Sequence, residues 1–302
     1  MKLETRLTQQ LDISHPIIMA PMFLVSNVKM LKAAIDTGIA GVMPSLNYLD
    51  SESLALDIKN LNDYNKNKKG IFGINLIIKG NLKYKEHLDV IVKNKTPLVI
   101  TSLGNPSEVI EKVHAYGGTV FCDVINVAHA QKAEKADGFI AVGQGAGGHA
   151  GNISLQVLIP ALRMLFPSKI IIGAGGVANA KGLKSILALG ADGVSAGTVF
   201  IASQESEVDE AYKKAIFKAK ASDITMTKIL SGVPASVIKS EYLQKMENEL
   251  KLKRLNLERG IELLQKSGVD ADYSQIFVAG QVVEFVDKEL SISEIVKSLL
   301  ED

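Results

Sequence analysis

The sequence predicts an α/β protein, a (β/α)8 TIM barrel with a small helical subdomain inserted near the C-terminus. Eight short apolar runs between Pro16 and Phe200 alternate with amphipathic stretches, and eight such strand–helix alternations are the number that closes a parallel barrel. Glycine-bearing turns follow the late runs, at the strand ends where this architecture carries its chemistry. After Ser206 the pattern changes to long helical spacing rich in Lys, Glu and Leu. An open doubly wound sheet is the competing architecture.

The predicted strands, in order, are Ile17 to Ala20, Ala40 to Met43, Ile71 to Leu76, Leu98 to Thr101, Thr119 to Val124, Gly138 to Val142, Ile170 to Ala174 and Gly193 to Ala196. Between them, sets such as Val28-Leu31-Ala34-Ile35 and Val109-Ile110-Val113 have the spacing of one helix face. Ala136-Asp137-Gly138 and Ala191-Asp192-Gly193 each open a run, either as an internal echo or as one favourable helix-to-strand turn used twice. Helical patterns then cover 209–220 and 240–266, and no new strand series begins. The resulting division is a barrel over 1–204, a helical subdomain or lid over 205–274, and C-terminal helices over 275–302 that complete the barrel. Ser291 caps the last helix, with Glu294 in the capping-box position.

Composition narrows the function. With 34 Lys and Arg against 33 Asp and Glu, charge gives no case for nucleic acid or an acidic membrane surface as partner. A single cysteine, Cys122, excludes an internal disulfide framework; it lies in an apolar run, where a buried small hydrophobe is expected rather than a reactive thiol. No basic segment with an apolar stretch opens the chain, and no run reaches spanning length, so a cytoplasmic enzyme is expected.

The candidate site begins at 143–151, Gly-Gln-Gly-Ala-Gly-Gly-His-Ala-Gly, where five of nine residues are glycine around one histidine. Such density suits backbone that takes unusual dihedrals or approaches a ligand closely. His149 falls just past a strand's C-terminal end and is the candidate catalytic residue; the alternative is a histidine that only holds the loop. His15, His87, His114 and His129 are expected to be structural or exposed, and their spacings suggest no metal site. Gly175 and Gly176 end the seventh run, and Gly197 and Thr198 end the eighth. In (β/α)8 proteins these loops commonly cradle a phosphate with backbone N–H groups. The first strand stops at Pro21, leaving backbone of Ala20 and Met22 to meet a ligand. Asn75 is an amide within an apolar strand; it either bonds a heteroaromatic ring or is a core amide satisfied by neighbouring backbone.

Together Pro16-Ile17-Ile18-x-Ala20-Pro21-Met22, Phe72-Gly73-Ile74-Asn75, Ala146-Gly147-Gly148-His149, Gly173 to Val177, Gly190-Ala191-Asp192 with Gly197 to Phe200, and Ala279-Gly280-Gln281 resemble the nitronate monooxygenase family, formerly 2-nitropropane dioxygenases. The related enoyl-acyl-carrier-protein reductase II enzymes share these elements. The resemblance implies an FMN at the barrel mouth, with its phosphate on Gly175, Gly176, Gly197 and Thr198. The isoalloxazine ring would lie near Ala20, Met22, Asn75 and Gln144, with Gly147, Gly148, Gly280 and Gln281 also binding the cofactor. His149 matches the family's active-site histidine. Two positions depart from the pattern. Gly145 stands where many relatives have an acidic residue, and Asp123 lies where some members carry a lysine after the fifth strand.

The implied reaction is oxidation of alkyl nitronates or nitroalkanes by O2 to carbonyl compounds and nitrite. The alternative is NAD(P)H-dependent reduction of enoyl thioesters, with Lys79, Lys83 and Lys85 available to meet phosphates. A phosphate-binding barrel without redox activity is a third reading, and the intact glycines, Thr198 and His149 argue against it. A homodimer is the common state of this barrel class, and no residue of the sequence specifies it.

Overall fold

The computed structural model describes residues 3–230, 232–251 and 275–301. Eight parallel strands close into a barrel: β1 Ile17–Met19, β2 Ala40–Pro44, β3 Ile71–Ile77, β4 Leu98–Ser102, β5 Thr119–Val124, β6 Gly138–Val142, β8 Ile170–Ala174 and β9 Gly193–Ala196. Closure is made by β1 pairing with both β2 and β9. The doubly wound alternative is thereby excluded, and each strand falls on a predicted apolar run.

Alternation along the strands decides what reaches the site. Ile18, Val42, Ile100, Phe121, Ile140 and Ile172 form one buried cluster inside the barrel, while neighbours such as Met19, Val99 and Val120 pack outward against the helices. Successive strand residues point to opposite faces, so Asn75, Ser102 and Asp123 share the inward face with Ile71, Ile100 and Phe121. The helix α1 Arg6–Leu11 adds Leu7 and Leu11 to the inner cluster together with the strand-start residues Ala40, Leu98 and Ile170. It therefore plugs the N-terminal end of the barrel. A ligand has the C-terminal end to enter.

The two Ala-Asp-Gly turns do the same job in the same geometry. Asp137 N–H donates to Val120 O (3.0 Å) while Asp137 Oδ2 accepts from Val120 N–H (2.7 Å). Asp192 N–H donates to Ile171 O, and Asp192 Oδ2 accepts from Ile171 N–H at 2.9 Å and from Arg163 at 2.6 Å. Each aspartate thus staples the start of one strand to its neighbour. The glycine that follows is required because a Cβ at Gly138 would stand 2.4 Å from Ile170 O, and one at Gly193 would stand 2.7 Å from Pro16 O. Asp192 is 8% exposed, so Asp192→Ala leaves the buried Ile171 N–H without its acceptor and the Arg163 guanidinium without its carboxylate partner. The expected cost is about 3 kcal/mol of stability, measured by urea denaturation, with Asp192→Asn costing less.

The segment after Ser206 is not only helical. Helices Glu210–Lys218 and Glu241–Lys251 match the start of both predicted patterns. Between them lie two unpredicted strands, β10 Ile224–Thr227 and β11 Ala235–Ile238, antiparallel to each other. They extend to a third strand of two residues, β7 Gly148–His149, in the glycine loop. The remainder of the second helical pattern, and the expected boundary at Ser274, lie outside the described residues. Gln281–Phe285 forms a short 3-10 helix, and the terminal helix Ile292–Leu300 carries the Ser291–Glu294 capping box and packs on helices Val28–Asp36 and Ala180–Ala188. Among the described residues no helix is long and apolar enough to cross a membrane.

Candidate active site

The C-terminal mouth of the barrel opens into a cavity of about 950 Å3, at the upper end of the range for small-molecule clefts. Its lining is largely apolar. Of the residues expected to bind a cofactor, Ala20, Met22, Asn75, Gly147, Gly148, Gly175, Gly176, Gly197 and Thr198 line it, as does His149. Gln144, Gly280 and Gln281 do not. Gln144 has an exposed side chain and uses its backbone N–H on Ile153 O; Gln281 is exposed, and Gly280 lies buried behind the wall.

What those residues build is the wall itself. Gln281 N–H donates to Gly145 O at 3.0 Å, holding the 279–281 segment against the glycine loop. A Cβ on Gly280 would meet Gly145 O at 2.6 Å and Gly147 N at 2.7 Å. Glycine here permits backbone to touch backbone. Gly145 has φ +91°, and a Cβ there would stand 2.8 Å from Gln281 Oε1. The acidic residue of relatives would need strained backbone at this position.

His149 is presented on β7, in register with Ala235 of β11. The loop is therefore fixed from the far segment of the chain, a support that local sequence pattern does not reveal. Burial holds the imidazole pKa below its ordinary value of 6.5. His149 is neutral at neutral pH, able to accept a proton at one nitrogen and donate from the other.

The turns after β8 and β9 fit a phosphate. Gly175 and Gly176 have φ of +120° and +74°, and the space where a Cβ of Gly176 would sit holds no atom within 4 Å. Thr198 Oγ1 accepts from Gly280 N–H at 2.9 Å, which leaves the hydroxyl proton to donate toward the cavity. Asn179, the N-cap of helix Ala180–Ala188, satisfies Gly182 N–H with its own side chain.

Two expectations on backbone groups change. Ala20 N–H donates to Ala196 O at 2.8 Å, and Met22 N–H donates to Ser26 Oγ at 3.0 Å. Both residues line the cavity with these donors already spent, because strand pairing and a local turn claim them first. Asn75 follows the core-amide reading: its Nδ2 donates to Ile100 O (3.1 Å) and Ser102 Oγ (2.8 Å), and the residue also lines the cavity.

Sequence reasoning missed Ser102 and Tyr212 and left the direction of Asp123 open. Ser102 and Asp123 share inward parity with Ile100 and Phe121, a signal that was available once the barrel was assumed. Tyr212 reaches the cavity from helix Glu210–Lys218 and donates its hydroxyl to Val278 O at 2.6 Å. Cys122 faces the other way, accepts from Thr101 Oγ1, and burial pushes its thiol up to about 12; it is no nucleophile. Of the three lysines after β3, Lys79 lines the cavity, Lys83 precedes a helix and Lys85 pairs with Glu108. Among the described residues no group of three or more His, Cys, Asp or Glu could hold a metal ion.

These features define a (β/α)8 barrel with a largely apolar cavity at its C-terminal mouth. The nitronate monooxygenase family pattern matches residues 53–302. The chain belongs to that family, and it is a flavin-dependent oxidoreductase. A probable nitronate monooxygenase of Staphylococcus aureus is 27% identical over 80% of this chain and 80% of its own. Also 27% identical, over 82% of this chain and 69% of the relative, is the (3aS,4S,5R,7aS)-5-hydroxy-7a-methyl-1-oxo-octahydro-1H-indene-4-carboxyl-CoA dehydrogenase of Rhodococcus jostii. Among solved structures, FabK from Thermotoga maritima superposes with a TM-score of 0.86 at 29% identity, covering 98% of this chain and 95% of FabK. The nitroalkane oxidase of Streptomyces ansochromogenes shares the fold, with a TM-score of 0.80 at 22% identity and coverage of 97% and 96%.

Proposed function

We propose that the protein binds FMN and oxidises alkyl nitronates, or the parent nitroalkanes, with O2 to carbonyl compounds and nitrite. The observation that carries this reading is His149, neutral and lining the same largely apolar cavity as the glycine cradle. Gly175, Gly176, Gly197 and Thr198 would hold the cofactor phosphate; Ala20, Met22, Asn75, Gly147 and Gly148 would border the remainder. FMN supplies the electron-accepting chemistry when bound. The protein's part is to position and to move one proton. His149 accepts the α-proton of a neutral nitroalkane, or donates an N–H to an oxygen of a nitronate that arrives already ionised.

A second reading, NAD(P)H-dependent reduction of a thioester, is supported by Lys79, His129 and Lys132, which also line the cavity and are suited to a phosphorylated ligand. Anaerobic mixing of FMN-loaded protein with propyl nitronate, NADH or NADPH separates the two. Rapid flavin bleaching by nitronate with inert nicotinamides is expected; bleaching by a nicotinamide alone would move the protein to the reductase reading. A protein that does not retain FMN would overturn both.

A further inference from the structure

Among the described residues Asp123 is the one acidic side chain that lines the cavity, and hydrogen bonds across β3, β4 and β5 tie it to Asn75. Asn75 Nδ2 donates to Ile100 O, a carbonyl that can only accept, so the orientation of the amide is fixed. The same Nδ2 donates to Ser102 Oγ at 2.8 Å, and Ser102 Oγ passes its own proton to Asp123 Oδ2 at 2.5 Å. Asp123 therefore stands two hydrogen bonds from the amide that borders the cofactor in the reading above. Only β4 lies between β3 and β5, and two strand spacings are about 10 Å. Over such a distance a carboxylate acts on the charge of a ring held in a water-excluded mouth.

The other titratable groups around Asp123 are placed differently. Lys79, His129 and Lys132 line the same cavity but are exposed, where water and salt screen their charge. His149 and Tyr212 also line it; burial holds the imidazole neutral and raises the phenol. Cys122, next to Asp123 on β5, has its thiol pushed up to about 12. The flanking strands β4 and β6 carry no charged residue. Helix Ser107–His114, packed on β5, pairs Glu108 with Lys85, Lys112 with Glu108 and His114 with Asp137, and its Glu111 is exposed. Among the described residues Asp123 makes no ion pair.

We infer that Asp123, held by Ser102 and Asn75, tunes the flavin: its carboxylate lowers the reduction potential of the bound cofactor and takes up a proton when the cofactor is reduced. This rests on the reading of the cavity as an FMN site. A carboxylate beside the ring opposes the negative charge that an electron pair brings, and that charge in turn raises the affinity of Asp123 for a proton. Two electrons then arrive with one proton more than the cofactor itself takes, bound by Asp123 from solvent. Burial already raises this carboxyl to about 6, against the opposing pull of the Ser102 hydrogen bond. Well below that pH Asp123 is neutral in both redox states and contributes no charge. Its effect therefore appears as pH rises through about 6 and grows up to the higher pKa that Asp123 has beside the reduced ring. The exposed cations act on wild type and Asp123→Asn alike, so the difference between the two isolates the carboxylate. A lowered potential makes the flavin a weaker electron acceptor and, once reduced, a stronger donor to O2.

Spectroelectrochemical titration of the FMN-loaded protein tests this, with an electrode supplying the electron pair and flavin absorbance as the readout. Wild type and Asp123→Asn are compared from about pH 5 to about pH 9. At about pH 8 the variant is expected to be reduced at a potential higher by at least about 30 mV, the equivalent of a tenfold change in the ratio of reduced to oxidised cofactor. At about pH 5 the two should coincide. Above pH about 6 the wild-type potential should fall about 30 mV more per pH unit than that of the variant, one extra proton per electron pair. Infrared difference spectra on reduction should show a carboxyl C=O band that Asp123→Asn lacks. A gap that is absent, or equal at every pH, overturns the inference, and retention of FMN in the same samples leaves the cofactor reading standing. Wild type that does not retain FMN overturns both. Should Asp123→Asn fail to fold or to hold FMN, Ser102→Ala removes the hydrogen bond that favours the carboxylate and moves the onset of the steeper pH dependence upward; an unmoved onset overturns the assignment.

Discussion

Replacing His149 by alanine is expected to lower kcat/KM for a neutral nitroalkane by about 10²- to 10⁴-fold, the usual contribution of a positioned general base. For the corresponding pre-formed nitronate the loss should be far smaller, because the carbon acid has already given up its proton. His149 is held by backbone pairing of β7 with β11, which alanine retains. The pH profile provides a second check. Burial lowers the imidazole pKa from 6.5, so the base remains unprotonated, and nitroalkane turnover is sustained, to a pH below that value. Paired steady-state assays with nitroethane and ethyl nitronate measure both effects. Equal losses on the two substrates would assign the imidazole to binding and remove the proton-transfer role.

Much of this site could be read before the barrel was in view, and the parts that could not have physical causes. Eight apolar runs fixed eight strands because inward and outward residues of a closed parallel barrel are both buried, which gives continuous runs. The glycine turns after β8 and β9 were legible from their ordinal place. Strands β10 and β11 were not: Ile224-Thr225-Met226-Thr227 and Ala235-Ser236-Val237-Ile238 are short, and beyond their pairing with each other only β11 has a further partner, a two-residue strand far away in sequence. Backbone commitments were equally hidden. A proline after β1 suggests free donors at Ala20 and Met22, yet Ala196 O and Ser26 Oγ take them. Asp123 stood out as a departure from relatives, and its direction followed from Phe121 once that residue was known to face inward.

The other large effect is expected at Gly280, where one methyl group should separate the cofactor cradle from its support. Gly280 has φ −101°, a conformation open to any residue, so alanine brings no backbone strain of its own. The obstacle is steric. Its Cβ would stand 2.6 Å from Gly145 O, 2.7 Å from Gly147 N and 3.0 Å from Ala146 C, and all three are main-chain atoms that cannot rotate away. The 279–281 segment must then lift from the glycine loop, which stretches the Gln281 N–H to Gly145 O bond and the Gly280 N–H to Thr198 Oγ1 bond together. Overpacking of this kind costs about 1–3 kcal/mol, and the buried Gly280 N–H adds about 1–3 kcal/mol if it loses its acceptor. Because Thr198 lines the cradle, FMN affinity should fall by at least about tenfold, the equivalent of 1.4 kcal/mol. Gly176→Ala provides the contrast: its Cβ meets no protein atom but the residue has φ +74°, so it costs about 1 kcal/mol in backbone strain and places its methyl in the cradle itself. Urea denaturation of the apoprotein separates the variants, since Gly280→Ala loses stability without any ligand, whereas Gly176→Ala loses chiefly the ligand. Gly280→Ala that keeps wild-type stability and FMN affinity would show that the two loops do not depend on their contact.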